Sequence, residues 1–391
     1  MYIGYAALRA WQKFFVPLPP CSIDMMPQTN DSLNHTVLAL KHGTRYEGFS
    51  FGFEKSVAGE VVFYTAMTGY PESLTDPSYK GQILVPTYPM IGNYGVPVDV
   101  EENGISKFFE SDRIHCTALV ISDYSDAPSH WNSQKSLGQW LKEQEVPGIY
   151  GVDTRELTKK LRENGSMRGK ILFGDEDVEW RDPNAENLVA QVSTREVKVF
   201  GNGKYKVVLV DCGVKYNILR CLLSRDVTIK MVPWDYDFTG EDADGIFLSN
   251  GPGDPAQCGE TIEHIRKTLD RDIPVMGICL GNQLMARAAG ADTYKLKYGH
   301  RSHNQPVMAP GGTRCYITSQ NHGFAIDDKT LPADWEPLFV NVNDGTNEGI
   351  KHRTKPFFSA QFHPEASSGP VDTEYLFDMF IDNIEKRRAG K

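Results

Sequence analysis

Apolar and polar positions along the chain fall into two regimes. From Val37 to about residue 190 the apolar runs are short and partly alternating, which predicts half-buried strands. Val37-Leu38-Ala39-Leu40 is followed by a turn at Gly43 and alternation through Phe51, then by Val61-Val62-Phe63-Tyr64 and Ile83-Leu84-Val85. Gly69, Pro71, Pro77, Pro86, Pro89, Gly92 and Gly95 punctuate this stretch and predict long, shaped loops. Two helices follow. One spans residues 132–144, with Leu137, Trp140 and Leu141 on one face; the other starts at Asp153 with Glu156 three residues on, carries Leu157 and Leu161, and stops at Gly165.

Residues 191–205, containing Phe200-Gly201-Asn202-Gly203, read as a linker, and beyond them the rhythm becomes strand–loop–helix. Val207–Val210 is a continuous apolar run of the buried parallel type. A helix with Ile218, Leu219, Leu222 and Leu223 follows, then strands at 227–232 and 245–248, a helix at 261–269, a strand at 274–278 and a helix at 282–289. The expected fold is α/β: a C-terminal doubly wound, mostly parallel sheet over residues 206–388, preceded by a β-rich α+β domain over 37–190. Such a sheet places ligands beyond the carboxyl ends of its strands.

The chain has 391 residues, 41 Lys+Arg against 51 Asp+Glu, and a formal net charge of −10. A long acidic chain suits two domains and disfavours nucleic acid or an anionic membrane surface as partner, because neutralising phosphates takes a surplus of cations. No apolar run approaches a bilayer-spanning length. Seven scattered cysteines fit neither a disulfide framework nor a zinc pattern, so the chain reads as intracellular with reduced thiols. Residues 1–36 are acid-poor, with Arg9 and Lys13 and a patch of prolines at 17, 19 and 20; they read as a disordered extension, with a weak transit peptide as the alternative.

Composition leaves open whether one thiol does chemistry, and the motifs address that. Gly277-Ile278-Cys279-Leu280-Gly281 sits at a strand-to-helix junction, the form of a nucleophile elbow, where the helix N-terminus favours a thiolate. Phe357–Phe362 reads as a buried strand with His363 at its end. In extended chain His363 and Glu365 share a face, so Glu365 can orient the imidazole while His363 exchanges a proton with Cys279. Ser249-Asn250-Gly251-Pro252-Gly253-Asp254-Pro255 follows a strand and offers backbone N–H groups to an oxyanion. Thr318–Phe324 reads as a polar loop; its His322 is the rival base, but it has no carboxylate two residues away. No phosphate loop or metal cluster is found between residues 37 and 190, and no metal site is expected.

Together the elbow, Ser249–Pro255 and His363-Pro364-Glu365 resemble the class I (triad) glutamine amidotransferases. Thr68-Gly69-Tyr70-Pro71, Leu74–Tyr79, Tyr88-Pro89, Ile91-Gly92-Asn93 and Gly151–Arg155 resemble the N-terminal domain of carbamoyl phosphate synthetase small subunits, in their eukaryotic glutamine-dependent form. Asp211-Cys212-Gly213, Pro233-Trp234 and Gln320-Asn321-His322-Gly323 point the same way. The resemblance implies a glutaminase with the triad Cys279, His363 and Glu365, and glutamine contacts from Ser78, Gly251, Gly253, Leu280, Gln283, Asn321, Gly323 and Phe324. It implies backbone oxyanion donors at Gly253 and Leu280, a synthetase large subunit or fused synthetase domains as partner, and no cofactor in this chain, ATP and Mg²⁺ being used by that partner. Many relatives carry His after the elbow glycine where this chain has Asn282; activity is expected to survive the change. A stand-alone cysteine γ-glutamyl hydrolase and a catalytically silent regulatory subunit are the alternatives. The expected compartment is the cytoplasm, or the mitochondrion if residues 1–36 are a transit peptide.

Overall fold

The computed structural model describes residues 35–390. Most of the proposed N-terminal extension lies outside the described residues, and its last two positions, His35 and Thr36, already belong to the first strand, His35–Leu40. That strand pairs with Arg45–Ser50 on one side and Met167–Phe173 on the other, and Val57–Tyr64, Gln82–Pro86, Ala118–Val120 and Gly148–Tyr150 complete a closed seven-stranded barrel. Alternation explains its two cores. Leu38, Val61, Ile83 and Val120 gather with Leu157 and Leu161, whereas Val62, Leu84 and Leu119 face a second cluster with Leu137, Trp140 and Leu141.

The helix expected over 132–144 forms only at Leu137–Glu143, where Ser136 supplies the cap by accepting from the Gln139 N–H at 3.2 Å. Thr154–Asn164 begins at Asp153, whose carboxylate accepts from the Glu156 N–H at 2.8 Å, and ends at Gly165.

The second half is a ten-stranded sheet. Its parallel centre has the order Val227–Pro233, Tyr205–Asp211, Gly245–Leu248, Val275–Ile278, Phe357–Ala360. An antiparallel arm of Asn347–His352, Trp335–Asn341, Thr293–Met308 and Cys315–Ile326 continues it at one side. On the other edge Lys198–Phe200 pairs antiparallel with Val227–Pro233, so the stretch expected to be a plain linker carries an edge strand. Both faces of the centre are covered. Val207 and Leu209 point to one side with Phe247, Phe377 and Phe380; Val208 and Val210 point to the other with Ile262, Leu284 and Met285. That two-sided burial is why these strands read as unbroken apolar runs.

Thr318–Phe324, expected as a loop, lies inside the strand Cys315–Ile326. Its polar residues misled the pattern because Gln320, Asn321 and His322 are buried through hydrogen bonds rather than apolar contact.

Candidate active site

The elbow is built as its sequence suggests. Val275–Ile278 ends, Cys279 takes φ 53 and ψ −102, and the helix Leu280–Ala289 begins at once, two residues earlier than expected. A non-glycine residue in this region is strained by about 1–3 kcal/mol, so its neighbours must hold it there. The Cys279 N–H donates to the Ala360 carbonyl at 2.8 Å, and the Gly281 N–H donates to that of Ser249 at 3.0 Å. The glycines permit that closeness: a Cβ on Gly281 would stand 2.3 Å from the Leu248 carbonyl oxygen, and one on Gly277 2.7 Å from the Gly281 backbone. Gly281→Ala is therefore expected to displace the elbow and to lower stability by about 1–3 kcal/mol, read as a reduced denaturant midpoint. An unchanged midpoint would mean that the turn relaxes without resistance.

The buried Cys279 sulfur lies 3.6 Å from the Asn321 carbonyl oxygen. His363 is 2% exposed, and its backbone N–H donates to the Ser319 carbonyl at 2.9 Å. Its Nδ1 lies 2.7 Å from Oε1 of Glu365. The expected extended chain does not form here: the strand stops at Ala360, and Pro364 and Glu365 lie in a turn. The turn brings the carboxylate to the ring just as closely. The other ring nitrogen, Nε2, has no hydrogen-bond partner.

Lys215 sets the charge. Its buried ammonium lies 3.1 Å from the Glu365 carboxylate and donates to the Ala366 carbonyl at 2.6 Å. Burial opposes the charged form of Glu365, but Lys215 and then His363 outweigh it and hold the carboxyl at about 2. Burial likewise opposes a charged His363. The charge of the Glu365 carboxylate, followed by that of Cys279, overcomes it and lifts the ring to about 10. The ring and the sulfur meet the same strand two residues apart, at Ser319 and Asn321, although Nε2 and the sulfur do not meet hydrogen-bond geometry at rest. His322 behaves differently: burial, and next the charge of His300, push it well below the usual histidine range. Its Nδ1 is committed to the Phe324 carbonyl at 2.8 Å.

A pocket opens at Cys279, and Ser78, Gly251, Gly253, Gln283, Asn321, Gly323 and Phe324 also line it, as does His322. Leu280 is the exception among the expected contacts: its side chain joins the apolar core, and what it presents is the N–H of the first helical residue, which has no intrahelical acceptor. Ser78 arrives from the barrel half. Its hydroxyl accepts from Nδ2 of Asn250 at 2.9 Å, while the Asp76 carboxylate takes the Ser78 N–H at 2.9 Å and Nδ2 of Asn321 at 3.3 Å. Gln283 is held by the Phe324 carbonyl at 2.9 Å and by Gln361 at 3.1 Å.

The two halves match two families. Residues 38–171 match the family described as carbamoyl-phosphate synthase small chain, CPSase domain, and residues 208–383 match glutamine amidotransferase class-I. The chain joins a carbamoyl-phosphate synthase small-chain domain to a class-I glutamine amidotransferase domain. Multifunctional protein pyr1-3 of Dictyostelium discoideum is 53% identical over 372 residues, covering 89% of this chain and 17% of that protein. Multifunctional protein URA2 of Saccharomyces cerevisiae is 50% identical over 398 residues, covering 92% of this chain and 18% of that protein. The human protein named carbamoyl-phosphate synthase (ammonia), mitochondrial, is 53% identical over 357 residues, covering 90% and 24%. The chain thus spans roughly a fifth of the length of these curated relatives. Among the described residues no helix is long and apolar enough to cross a membrane.

Within the amidotransferase domain, Asn282 occupies a structural position. Its Nδ2 donates to Gln361 at 3.0 Å and its Oδ1 accepts from Ser359 at 2.7 Å, pinning the elbow helix to the neighbouring strand. Lys215, Asn250 and Asp76 were not singled out from the sequence, although Asn250 and Asp76 lie inside recognised motifs and Lys215 sits two residues beyond one. Glu110 had no such signal. It is a glutamate of the small-chain domain outside the recognised motifs, fully buried, accepting from the Asn217 N–H at 3.0 Å and the Ser367 hydroxyl at 2.7 Å and pairing with Arg220. Asn217 in turn donates to the Glu365 carbonyl, so the small-chain domain braces the triad loop. The one cluster of metal-ligand type among the described residues, His300, His322 and Glu348, has ligand atoms within 4.8 Å of each other. His300 donates to the Asp344 carboxylate through Nε2 and to the Gln320 carbonyl through Nδ1, and the Asn341 amide donates to Glu348, which ties the cluster into a web beneath the polar strand.

Proposed function

We propose that the chain is the glutaminase component of glutamine-dependent carbamoyl phosphate synthesis. Cys279 attacks the γ-carboxamide carbon of L-glutamine, and the thiol proton passes by way of His363 to the departing nitrogen as the C–N bond breaks. Ammonia leaves, and a γ-glutamyl thioester remains on sulfur. His363 then takes a proton from water, whose oxygen attacks the thioester carbon; the C–S bond breaks, giving glutamate and the free thiol. Glu365 holds the ring through Nδ1 and balances its charge. The N–H groups of Gly253 and Leu280 serve the developing oxyanion, and Ser78, Gly251, Gln283, Asn321, Gly323 and Phe324 hold the rest of the substrate.

The observation that carries this reading is Cys279, at a strained elbow on the pocket with its sulfur against Asn321, together with the buried His363–Glu365 pair, whose backbone joins the same strand two residues away at Ser319. The ammonia goes to a synthetase, as a large subunit or as fused domains, which combines it with bicarbonate and ATP; this chain needs no cofactor of its own. The much greater length of the relatives supports a fused or tightly associated synthetase. The product would feed pyrimidine or arginine synthesis, in the cytoplasm, or in the mitochondrion as the human relative's name states for that protein.

The test is incubation of the full chain with L-glutamine, assay of glutamate and ammonia, and an acid quench to trap the γ-glutamyl adduct. Expected are equimolar products and an adduct on the peptide bearing Cys279. Turnover with no adduct there, or no turnover with or without the synthetase, would overturn the reading.

A further inference from the structure

Arg301 lies on the strand Thr293–Met308, directly across the ladder from Asn321. It lines the pocket with Cys279 and is only 4% exposed. One guanidinium nitrogen, Nη1, donates to the Tyr298 carbonyl at 2.7 Å, whereas Nε has no partner. Among the described residues it has no carboxylate in ion-pair range. The other cation of the pocket, Lys295, is already paired with Glu60. Gly323 leaves the guanidinium edge open, since a Cβ there would stand 3.2 Å from Nη2. Burial pulls the Arg301 pKa below its ordinary value, with Glu60, Tyr79 and Cys279 opposing, as expected of a cation held in a dry pocket without a counter-ion.

A buried guanidinium lacking its anion is costly to the fold and is retained where a ligand completes it. The planar fork suits one ligand chemistry above others, a carboxylate taken by two parallel N–H donors. Of the substrate proposed above, only the α-carboxylate carries that charge, the amide end being committed to Cys279. We propose that Arg301 binds the α-carboxylate of the substrate and so selects free glutamine over γ-amides that lack this group. The assignment rests on the glutaminase reading and names the side chain that sets its specificity.

The experiment compares L-glutamine with 4-aminobutanamide, the same γ-amide without the carboxylate, on the full chain and on R301Q and R301K. In R301Q the KM for glutamine is expected to rise roughly 10- to 100-fold, the range for losing a charge-assisted hydrogen bond, with kcat changed by no more than a few fold. Turnover of 4-aminobutanamide is expected to stay within a few fold of the parent, so the preference between the two amides collapses. R301K keeps the charge but loses the fork and should fall between; if R301Q does not fold, an unchanged glutamine KM in R301K overturns the assignment. An equal loss for both amides in folded R301Q would place Arg301 in the service of the Cys279 sulfur and overturn it too. Glutamine turnover with an unchanged preference in R301Q removes this assignment alone, whereas a parent chain that turns over neither amide removes the glutaminase reading beneath it.

Discussion

Cys279→Ser is expected to lower glutamine hydrolysis by at least about 10⁴-fold while leaving the unfolding midpoint nearly unchanged. The hydroxyl is close in size to the thiol and should fit the space against Ala360 and Asn321 without disturbing the elbow. What is lost is the nucleophile: sulfur is ionised far more readily than a serine hydroxyl. His363→Asn should cost about 10²- to 10⁴-fold, because the ring moves protons in both the ammonia-releasing and the water-attack steps. The pair is measured by glutamate release and by alkylation of Cys279 with a chloroketone analogue of glutamine. A His322→Asn variant as inactive as His363→Asn, with the adduct still formed in the latter, would transfer the role of base to His322.

Glu365→Gln is the second large effect, and it carries a pH signature. In the parent, His363 has a folded pKa of about 10 against an ordinary 6.5. Its charged form therefore adds stability fully present below about pH 6.5 and lost as the pH rises through about 10. Glu365 is held at about 2 against an ordinary 4.5, so its contribution is full above about pH 4.5 and lost as the pH falls through about 2. The cluster is at full strength between those ordinary values. A neutral glutamine still accepts from Nδ1 but no longer favours the imidazolium, and burial then draws His363 down. The variant should lose about 10²-fold or more in kcat, with the alkaline limb of its rate profile moved to lower pH. It also strands the Lys215 ammonium, which should lower stability by about 3–5 kcal/mol near pH 6. The stability gap between parent and variant should narrow as the pH approaches 10. A gap independent of pH from 6 to 10 would show that the carboxylate acts only by shape.

The elements legible in the sequence were those whose environment is simple. Val207–Val210 is buried on both faces, and Thr154–Asn164 has a side-chain cap at one end and a glycine at the other; each carries its whole reason locally. The elbow was legible because its strained turn demands glycines at fixed positions on both sides of Cys279. The strand Cys315–Ile326 was not, because it buries polar side chains that are satisfied by hydrogen bonds, Asn321 by the distant Asp76, Thr318 by Gln305 on the neighbouring strand and His322 by Phe324 within its own, none of which shows in an apolar pattern. Arg301, Lys215 and Glu110 escaped for the same reason: a charged residue in sequence looks solvated until the fold removes its water. The pairing of His363 with Glu365 was foreseen although the backbone between them turns instead of running straight, since a side chain of that length reaches the ring from either geometry.

Ser78 comes from the barrel half and Asn250 from the sheet half, and the Asn250 amide donates to the Ser78 hydroxyl across the junction. Either half alone would expose polar atoms shaped for a companion it no longer has. A recombination event that carried off the sheet without the barrel would deliver a nucleophile with an open wall, and selection would see two broken parts rather than one smaller enzyme. The wall of the pocket is therefore complete only where both halves are present in one molecule.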